Sequence, residues 1–381
     1  MTDQANLFVV AGEESGDLHG SRLIRKILSL EPHIKFYGIG GDRMKAAGVA
    51  LMQHSNDMAV MGFMEVIKKY PFIKSVFHNT IHVIEKIQPC RAILIDYPGF
   101  NLRLAKELKT MGIPITYFIS PQLWAWKEGR IRIIRECVDQ ILCIFPFEEE
   151  WYRKRGVEAT FIGHPLIDYF SVESCGKKTQ TGKNEFFKKH NLSKEKTTIA
   201  LFPGSRQQEV DQHLPILIHT VNHLKNDGFK VQGIIGKAPG VSMPHLYSEF
   251  IAIEEDEPQL ALRYADVAIS SSGTATLEAA IYGIPTVVIY RMASITWWLA
   301  KLMAKVPYAS MTNLVAGKEV LPELLQRDAT PDRIAETLRP LLESEASRAE
   351  MVEELRKVRA KLGKPGAIER GAKLILERLN F

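Results

Sequence analysis

Short apolar runs alternate with amphipathic segments through the N-terminal half of the chain. The apolar runs have the length of strands and cover Leu7–Ala11, Phe36–Ile39, Arg91–Ile95, Ile115–Ile119, Gln140–Ile144 and Ala159–Ile162. The segments between them include helical patterns at His19–Leu30, Leu102–Met111, Arg130–Glu136 and Glu148–Arg155. Strands that alternate with helices of this length predict a parallel sheet covered by helices on both faces.

The same pattern starts again after a polar interruption. Residues 172–196 are rich in Lys, Thr, Ser, Asn and Gly, which predicts a linker region. Strand-length runs then follow at Thr198–Phe202, Val231–Ile235, Val267–Ser270 and Thr286–Tyr290. We therefore predict an N-terminal Rossmann-like domain over residues 1–171, a C-terminal one over residues 197–345, and C-terminal helices over residues 346–381. Two domains are also what a chain of 381 residues leads us to expect.

Composition narrows the class of protein. Hydrophobic residues make up 46% of the chain and charged residues 24%, as in soluble globular proteins. No signal peptide and no apolar run long enough to span a bilayer is visible in the sequence, and the four cysteines lack CxxC or metal-ligand spacing. A cytoplasmic protein with reduced thiols is expected. The net charge of +5 is compatible with phosphate-bearing substrates, but too diffuse to indicate nucleic acid.

The segment from Ala268 to Tyr290 is the most informative part of the sequence. It has the pattern of a strand, a turn of small residues at Ser272, Gly273 and Thr274, a short helix, and another strand. Such a turn before a helix binds anions, because free N–H groups and the helix dipole point at one place. Glu278 lies one helical turn further on, where it could accept hydrogen bonds from sugar hydroxyls. An ordinary joint of a parallel sheet is the alternative interpretation.

A second candidate phosphate site follows the first strand of the C-terminal half. The loop contains Gly204 and Ser205 as backbone donors, then Arg206 with its planar cation, and Glu209 a turn later. Both turns belong to one predicted domain and follow parallel strands, so they are expected at the same edge of the sheet. Two converging anion sites predict a diphosphate.

The N-terminal half contains acidic residues that are candidates for the functional site. Asp96 directly follows a buried strand, and partial burial would raise its pKa toward that of a general base. The alternative is that Asp96 caps the next helix. The loop after the first strand contains Ser15, Gly16 and Asp17, but its glycine spacing is not that of a dinucleotide site. With acidic neighbours, this loop is expected to face the neutral part of a substrate, and Asp17 could either cap a helix or bind a hydroxyl.

Two motifs are absent from the sequence. It has no Walker A motif and no Asp-x-Asp pair. We therefore expect no ATPase activity, no cofactor and no metal holding the diphosphate. Arg206 and helix N-termini would then have to stabilise a leaving group.

Nine segments together resemble lipid-A-disaccharide synthases. They begin at Ala11, Gly38, Met61, Ile95, Ser120, Phe161, Leu201, Ser272 and Asn313, and they read AGEESGD, GIGGDRM, MGFMEV, IDYPGFN, SPQLWAW, FIGHP, LFPGSR, SGTATLE and NLVAGKE. The resemblance extends from about residue 7 to about residue 340 in order. SPQLWAW is the most specific of these segments, whereas the SGT turn occurs in other nucleotide-sugar enzymes.

The resemblance implies an α/β protein of the GT-B type, in which two Rossmann-like domains have parallel sheets facing a central cleft. It implies transfer of 2,3-diacylglucosamine from UDP-2,3-diacylglucosamine to 2,3-diacylglucosamine 1-phosphate (lipid X), giving a β-1,6-linked disaccharide 1-phosphate and UDP in a Gram-negative bacterium. Asp96 would be the base, Arg206 would stabilise UDP, and Glu278 would hold the ribose. Tyr290, Arg291 and Asn313 are further candidates for the UDP-sugar site. The family's dimer exchanges C-terminal segments; here the last helices would do so or pack on the N-terminal domain.

Two segments mix methionine and aromatic residues with lysines, at residues 58–74 and 295–305. The first contains Met61, Phe63, Met64 and Phe72, and with diacylated substrates implied we predict that these side chains contact lipid. A peripheral location on the inner face of the inner membrane follows from the same resemblance. Packing in the protein core is the alternative for both segments.

Two other functions fit parts of this pattern. A peptidoglycan transferase or a UDP-N-acetylglucosamine 2-epimerase would share the helix that bears Glu278, but would not be expected to have the segment from Trp124 to Trp126. A non-catalytic nucleotide- or lipid-binding protein would need neither Asp96 nor Arg206. Release of UDP from the two lipid substrates separates these alternatives.

Overall fold

The computed structural model describes residues 5–58, 63–170, 182–244, 250–293, 297 and 305–379, with the side chains of residues 63–68 outside this description. The chain forms two compact units. The first contains residues 1–168 and 363–381, and the second contains residues 169–362.

A seven-stranded parallel sheet forms the centre of the first unit. Its strands are β1 (Asn6–Ala11), β2 (Lys35–Gly40), β3 (Val49–His54), β4 (Arg91–Ile95), β5 (Ile115–Phe118), β6 (Gln140–Cys143) and β7 (Thr160–Phe161). They lie in the order β3-β2-β1-β4-β5-β6-β7. Ala11 pairs with Ile95, so the loops after β1 and β4 leave the sheet side by side.

Helices connect these strands. They are α1 (Glu14–Leu30), α2 (Asp42–Ala46), α3 (Ser55–Met58), α4 (Phe63–Ile87), α5 (Pro98–Thr110), α6 (Ile131–Cys137), α7 (Pro146–Arg153) and α8 (Pro165–Tyr169). A single 3-10 turn, Glu128–Arg130, precedes α6. The core lies between sheet and helices and includes Phe8, Leu94, Phe100, Tyr117 and Tyr152. Burial of such side chains is the main force that holds this unit together.

The second unit contains a six-stranded parallel sheet in the order β10-β9-β8-β11-β12-β13. Its strands are β8 (Thr197–Phe202), β9 (Val231–Gly236), β10 (Ile251–Glu254), β11 (Val267–Ser271), β12 (Thr286–Tyr290) and β13 (Glu323–Leu325). Its helices are α9 (Lys183–Lys189), α10 (Gln207–Asn226), α11 (Pro258–Arg263), α12 (Thr274–Tyr282), α13 (Met311–Ala316), α14 (Pro331–Glu343) and α15 (Glu345–Lys361). Phe202 pairs with Ser270, which places the loops after β8 and β11 next to each other.

The predicted fold class is confirmed by the two parallel sheets, but three strands had no recognisable pattern in the sequence. These are β3, β10 and β13, and each lies in the outermost position of its sheet. An outermost strand is only partly buried, as the mixed burial along β3 shows, so it lacks a continuous apolar run.

Several helix boundaries differ from those predicted. The helix after β1 begins at Glu14 rather than His19, and α5 begins at Pro98 rather than Leu102. Part of the predicted linker is the helix α9, which buries Phe186 and Phe187 in the core of the second unit. Burial of two aromatic rings stabilises this otherwise polar segment as a helix.

The last helix, α16 (Ala367–Leu376), packs against α1 in the first unit. The Asp168 carboxylate accepts hydrogen bonds from the N–H groups of Gly366, Ala367 and Ile368 at 2.5, 3.1 and 2.9 Å. A carboxylate at this position caps the helix and complements its dipole. These hydrogen bonds fix the N-terminus of α16 to α8, the helix that follows β7.

Candidate functional site

Each sheet has one position at which the strand order reverses direction. In the first sheet it lies between β1 and β4, and in the second between β8 and β11. Loops that leave adjacent strands at such a position diverge and open a crevice, which is where ligands bind in parallel α/β sheets. The loop residues predicted to do chemistry, around Gly16, Asp96, Arg206 and Gly273, follow these four strands.

Asp96 occupies a turn with an unusual backbone. Asp96 has a φ of 43° and Tyr97 a φ of 46°, two consecutive left-handed residues that are not glycine. The Asp96 carbonyl oxygen accepts hydrogen bonds from the Tyr117 hydroxyl at 2.6 Å and from Asn101 Nδ2 at 2.8 Å. Tyr97 rather than Asp96 stands at the N-cap of α5, and no side chain caps that helix. The Asp96 side chain therefore does not cap α5.

The environment of Asp96 raises its pKa to about 7, chiefly through burial and secondarily through the charge of Glu13. Glu13 is an exposed residue of the neighbouring loop after β1. A carboxyl that ionises near neutral pH is suited to exchange protons with a substrate. Glu13 was not among the residues predicted for this site, although its position directly after a strand is the signal that could have indicated it.

Asp17 has a structural role in the same crevice. Its carboxylate accepts hydrogen bonds from the N–H groups of Gly41, Met44 and Arg43 at 2.7, 2.9 and 3.1 Å, and the side chain is buried. It thus caps α2 rather than α1, to which it belongs. Gly16 lies against Ala11, where an added Cβ would approach to 3.2 Å, and Ser15 is exposed at the start of α1. Of these three predicted residues, Ser15 faces solvent.

A buried carboxylate holds the segment from Ser120 to Trp126. Glu148 Oε1 accepts hydrogen bonds from Ser120 Oγ at 2.9 Å and from Trp124 Nε1 at 3.0 Å. Glu148 Oε2 accepts from the N–H groups of Ile144 and Phe145 at 3.1 and 2.9 Å. Burial raises the pKa of Glu148, and these four donors oppose that effect. The loop is therefore held in one conformation, and sequence reasoning did not identify the residue that holds it.

In the second unit, Arg206 and Glu209 form a small cluster at the end of β8. Arg206 Nη1 lies 3.7 Å from Glu209 Oε1, and the Arg206 side chain is 56% exposed. Glu209 also accepts hydrogen bonds from the Ser205 N–H at 3.1 Å and from the Tyr290 hydroxyl at 3.4 Å. Gly204 has a φ of 136°, and an added Cβ would come within 2.5 Å of Glu209 Cβ. Glu209 thus shapes the loop and leaves most of the guanidinium accessible.

His213 connects this loop to the end of β12. Its Nδ1 lies 2.7 Å from the Pro203 carbonyl oxygen, and its Nε2 accepts a hydrogen bond from the Arg291 N–H at 2.9 Å. Both contacts are satisfied when Nδ1 carries the proton and Nε2 does not. The ring is fully buried. His213 therefore fixes the backbone on both sides of the crevice, while the Arg291 side chain is exposed.

The turn after β11 brings free N–H groups to the same edge of the second sheet. Gly273 is exposed with open space around it, and α12 begins at Thr274. The first N–H groups of a helix have no acceptor within the helix, so they are available to an anion. The Ser272 hydroxyl, in contrast, donates to the Ala309 carbonyl oxygen at 2.6 Å. Backbone groups rather than this hydroxyl are the donors that remain.

Glu278 lies one turn into α12 and is partly buried. Burial raises its pKa to about 7. Within the described part of the chain its carboxyl group has no hydrogen-bond partner, in contrast to Asp17 and Glu148. A partly buried carboxyl group without protein partners can accept hydrogen bonds from a ligand. Glu278 is thus the acidic group of this crevice that is available to accept hydrogen bonds.

Asn313 is also fully buried, but its side chain is saturated. Its Nδ2 donates to the Leu321 carbonyl oxygen and to Glu323 Oε1, both at 2.8 Å. Its Oδ1 accepts from the N–H groups of Val320 and Leu321 at 2.8 and 2.9 Å. These four bonds use the full capacity of an amide side chain. The Asn313 side chain therefore supports the loop that precedes β13, and its contact with the UDP-sugar stays a prediction.

The predicted lipid-contacting segment is described only in part. Met61 lies outside the described residues, as do the side chains of Phe63 and Met64. Further along α4, Tyr70 is 52% and Phe72 41% exposed. The second segment, residues 295–305, also lies outside the described residues except for Trp297 and Lys305. None of the described helices is long and apolar enough to cross a membrane.

Comparisons with known proteins identify the family. The sequence profile of lipid-A-disaccharide synthetases matches residues 7–375. A lipid-A-disaccharide synthase from Myxococcus xanthus is 39% identical, covering 100% of this chain and 99% of that protein. One from Coxiella burnetii is 36% identical over 97% of each chain. The peptidoglycan-transferase, epimerase and non-catalytic alternatives are not favoured.

Solved structures of low sequence identity share the fold. The UDP-GlcNAc 2-epimerase from Neisseria meningitidis bound to UDP-GlcNAc has a TM-score of 0.65 at 14% identity, covering 98% of this chain and 99% of that one. The glycosyltransferase of kitacinnamycin has a TM-score of 0.63 at 15% identity over 99% of each chain. The chain thus has the GT-B fold and is a glycosyltransferase of lipid A biosynthesis. It belongs to the lipid-A-disaccharide synthase family.

Proposed function

We propose that this chain transfers the 2,3-diacylglucosaminyl group of UDP-2,3-diacylglucosamine to the 6-hydroxyl of 2,3-diacylglucosamine 1-phosphate. The bond between the anomeric carbon and the diphosphate oxygen breaks, a bond from that carbon to the acceptor oxygen forms, and UDP leaves. The configuration at the anomeric carbon inverts. The observation that carries this proposal is the position of Asp96 at the crevice between β1 and β4, with a pKa of about 7.

Asp96 acts as the general base in this scheme. Its carboxylate takes the proton from the acceptor hydroxyl as that oxygen attacks the anomeric carbon. Asp96 and Tyr97 form a left-handed turn, and Tyr117 and Asn101 donate hydrogen bonds to the Asp96 carbonyl oxygen. These contacts hold the Asp96 backbone in one conformation and so position its carboxyl group. The first unit accordingly binds the acceptor.

The second unit holds the donor. Arg206 and the N–H groups at Gly273 and Thr274 stabilise the charge that develops on UDP as it leaves. Glu278, whose carboxyl group has no hydrogen-bond partner in the described part of the chain, accepts hydrogen bonds from the ribose hydroxyls. Support also comes from the Neisseria meningitidis epimerase, a protein of the same fold that was solved with a UDP-sugar bound.

The acyl chains of both substrates bring the enzyme to a membrane surface. Tyr70 and Phe72 are exposed on α4, and the exposed Lys74 lies one helical turn after Tyr70, a combination typical of peripheral binding to anionic lipid. The predicted face is the inner side of the inner membrane. The homodimer implied by the family resemblance remains a prediction that sedimentation of the pure protein would test.

Mass spectrometry of the products tests the proposed function directly. Pure protein with UDP-2,3-diacylglucosamine and 2,3-diacylglucosamine 1-phosphate should give UDP and one tetraacyl disaccharide 1-phosphate. Conversion of the donor alone to an epimer, or binding of both lipids without UDP release, would contradict it.

A further inference from the structure

Two cations lie at the turn that follows the segment from Ser120 to Trp126. Lys127 and Arg130 are three positions apart in the sequence, and the Arg130 N–H donates to the Lys127 carbonyl oxygen at 3.0 Å. Residues 128–130 form a 3-10 turn. Lys127 directly precedes this turn and Arg130 is its last residue, so the two cations lie at the two ends of one short turn.

The surroundings of this pair leave its charge uncompensated. Among the residues that the structure describes, no carboxylate lies within ion-pair distance of either cation. The intervening acid, Glu128, is engaged by Arg155, whose Nε and Nη2 lie 2.8 and 2.6 Å from Glu128 Oε1. The Lys127 ammonium lies 4.3 Å from the centre of the Trp126 ring, and this contact does not neutralise it. Burial and the Arg130 charge lower the pKa of Lys127, as expected for neighbouring cations.

The pair belongs to the catalytic edge of the first sheet. It follows β5, the strand beside β4, and both strands end at the edge where Asp96 lies. Burial raises the pKa of the Tyr117 hydroxyl, and the Arg130 charge opposes this effect. Tyr117 in turn donates to the Asp96 carbonyl oxygen. Arg130 and Asp96 thus follow neighbouring strands at one edge of the sheet.

We infer that Lys127 and Arg130 bind the phosphate monoester of the acceptor. This inference rests on the proposed function. An acceptor whose 6-hydroxyl lies at Asp96 presents its 1-phosphate at the other end of the sugar ring, and two uncompensated cations on the loop after the neighbouring strand match that dianion in charge. The pair therefore selects the phosphorylated monosaccharide as acceptor over its neutral counterpart.

The test compares two acceptors, 2,3-diacylglucosamine 1-phosphate and 2,3-diacylglucosamine, in neutral detergent micelles at saturating donor. Lys127→Gln and Arg130→Gln should each lower kcat/KM for the phosphorylated acceptor roughly 10- to 100-fold, the effect of losing a charged hydrogen bond. The low kcat/KM for the neutral acceptor should not change. Arg130→Lys, which keeps the charge, should recover part of the loss. Arg132→Gln is the matched control, because Arg132 is exposed on the same segment and pairs with Glu136.

Each outcome has a defined meaning. Equal losses with both acceptors indicate a structural role and overturn the inference, as does unchanged selectivity. If the variants keep their selectivity in micelles but bind phosphatidylglycerol vesicles less tightly, the pair serves bilayer headgroups and the inference is wrong. Failure of the wild-type protein to form any disaccharide is a separate result that contradicts the proposed function itself. Melting temperatures near that of the wild-type protein show that the variants are folded.

Discussion

The indole Nε1 of Trp124 donates a 3.0 Å hydrogen bond to the buried Oε1 of Glu148. That carboxylate also accepts from Ser120 and from the backbone at Ile144 and Phe145, so the loops after β5 and β6 share one acceptor. The Trp124 ring packs edge-on against Phe147, with a centroid separation of 4.9 Å. The most specific sequence segment of the chain is therefore fixed by a residue 24 positions away.

Replacing Glu148 with Gln should destabilise the first unit. Glutamine has one acceptor oxygen, and its Nε2 would face N–H or O–H donors that have no other partner. We expect the free energy of unfolding to fall by about 1–3 kcal/mol, measured by denaturant titration. Glu150→Gln is the control, since Glu150 is an exposed neighbour that pairs with Lys154. Equal stability of the two variants would contradict the role given to Glu148.

Asp96→Asn should abolish most of the transferase activity without changing the affinity for UDP. The amide cannot accept the acceptor's proton, so we expect kcat to fall by roughly a hundred- to ten-thousand-fold. The affinity for UDP, measured by calorimetry, should be unchanged because the proposed UDP contacts belong to the second unit. Asp42→Asn, at an exposed residue of the same unit, should retain full activity. Near-normal turnover in folded Asp96→Asn protein would reject Asp96 as the base.

The raised pKa of Asp96 has consequences for both rate and stability. At constant donor saturation, kcat/KM for the acceptor should rise with pH and level off above an apparent pKa near 7, because only the carboxylate is a base. The folded state holds this proton more tightly than the unfolded state, so the stabilising contribution is full below about pH 4 and is lost as pH rises through 7. Asp96→Asn should remove that loss and melt higher than the wild-type protein at pH 8. A lower melting temperature there would contradict the burial argument.

Arg206→Ala should weaken UDP binding and slow transfer together. Loss of a charged hydrogen bond to the diphosphate is expected to cost about 1.5–3 kcal/mol in binding free energy. Arg206→Lys should recover only part of this, because lysine lacks the planar fork. Gln208→Ala, at an exposed residue in the first turn of α10, is the control. EDTA should leave the activity unchanged, and strict dependence on a divalent metal would count against Arg206 as the group that stabilises UDP.

The proposed contact between Glu278 and the ribose can be tested with Glu278→Gln and a nucleotide that lacks the ribose hydroxyls. We expect the variant to bind UDP more weakly than the wild-type protein by about 1.5–3 kcal/mol, because a charged acceptor is lost. With 2′,3′-dideoxy-UDP the two proteins should bind alike, since the hydroxyls that Glu278 accepts from are gone. A loss of equal size with both nucleotides would place Glu278 elsewhere than on the ribose.

Phe72 and Phe77 lie on the same helix, and replacing each of them distinguishes lipid contact from core packing. Phe72 is exposed, whereas Phe77 packs on Phe100 with a centroid separation of 5.4 Å. Phe72→Ser should reduce binding to anionic vesicles, measured by cosedimentation, with little change in melting temperature. Phe77→Ser should lower stability by about 3–5 kcal/mol. Unchanged vesicle binding by the Phe72 variant would remove this surface from the membrane contact.

The interior strands of both sheets and the loops that follow them could be predicted from the sequence. A strand buried on both faces requires a continuous apolar run, and parallel strands bring their carboxyl ends to one edge. These two rules suffice to find β1, β4, β8 and β11 and to group their loops. They do not find β3, β10 and β13, three outermost strands that are buried too little to leave a continuous apolar run.

What only the tertiary structure decided is which polar side chains remain available to a substrate. Asp17 and Asn313 look as suitable as Glu278 in the sequence, yet their hydrogen bonds are taken up by Gly41 and Met44 in one case and by Leu321 and Glu323 in the other. A buried polar group must find partners, and those partners come from whichever chain segments the fold brings near. Sequence patterns report burial along one element, whereas hydrogen-bond partners depend on contacts between elements.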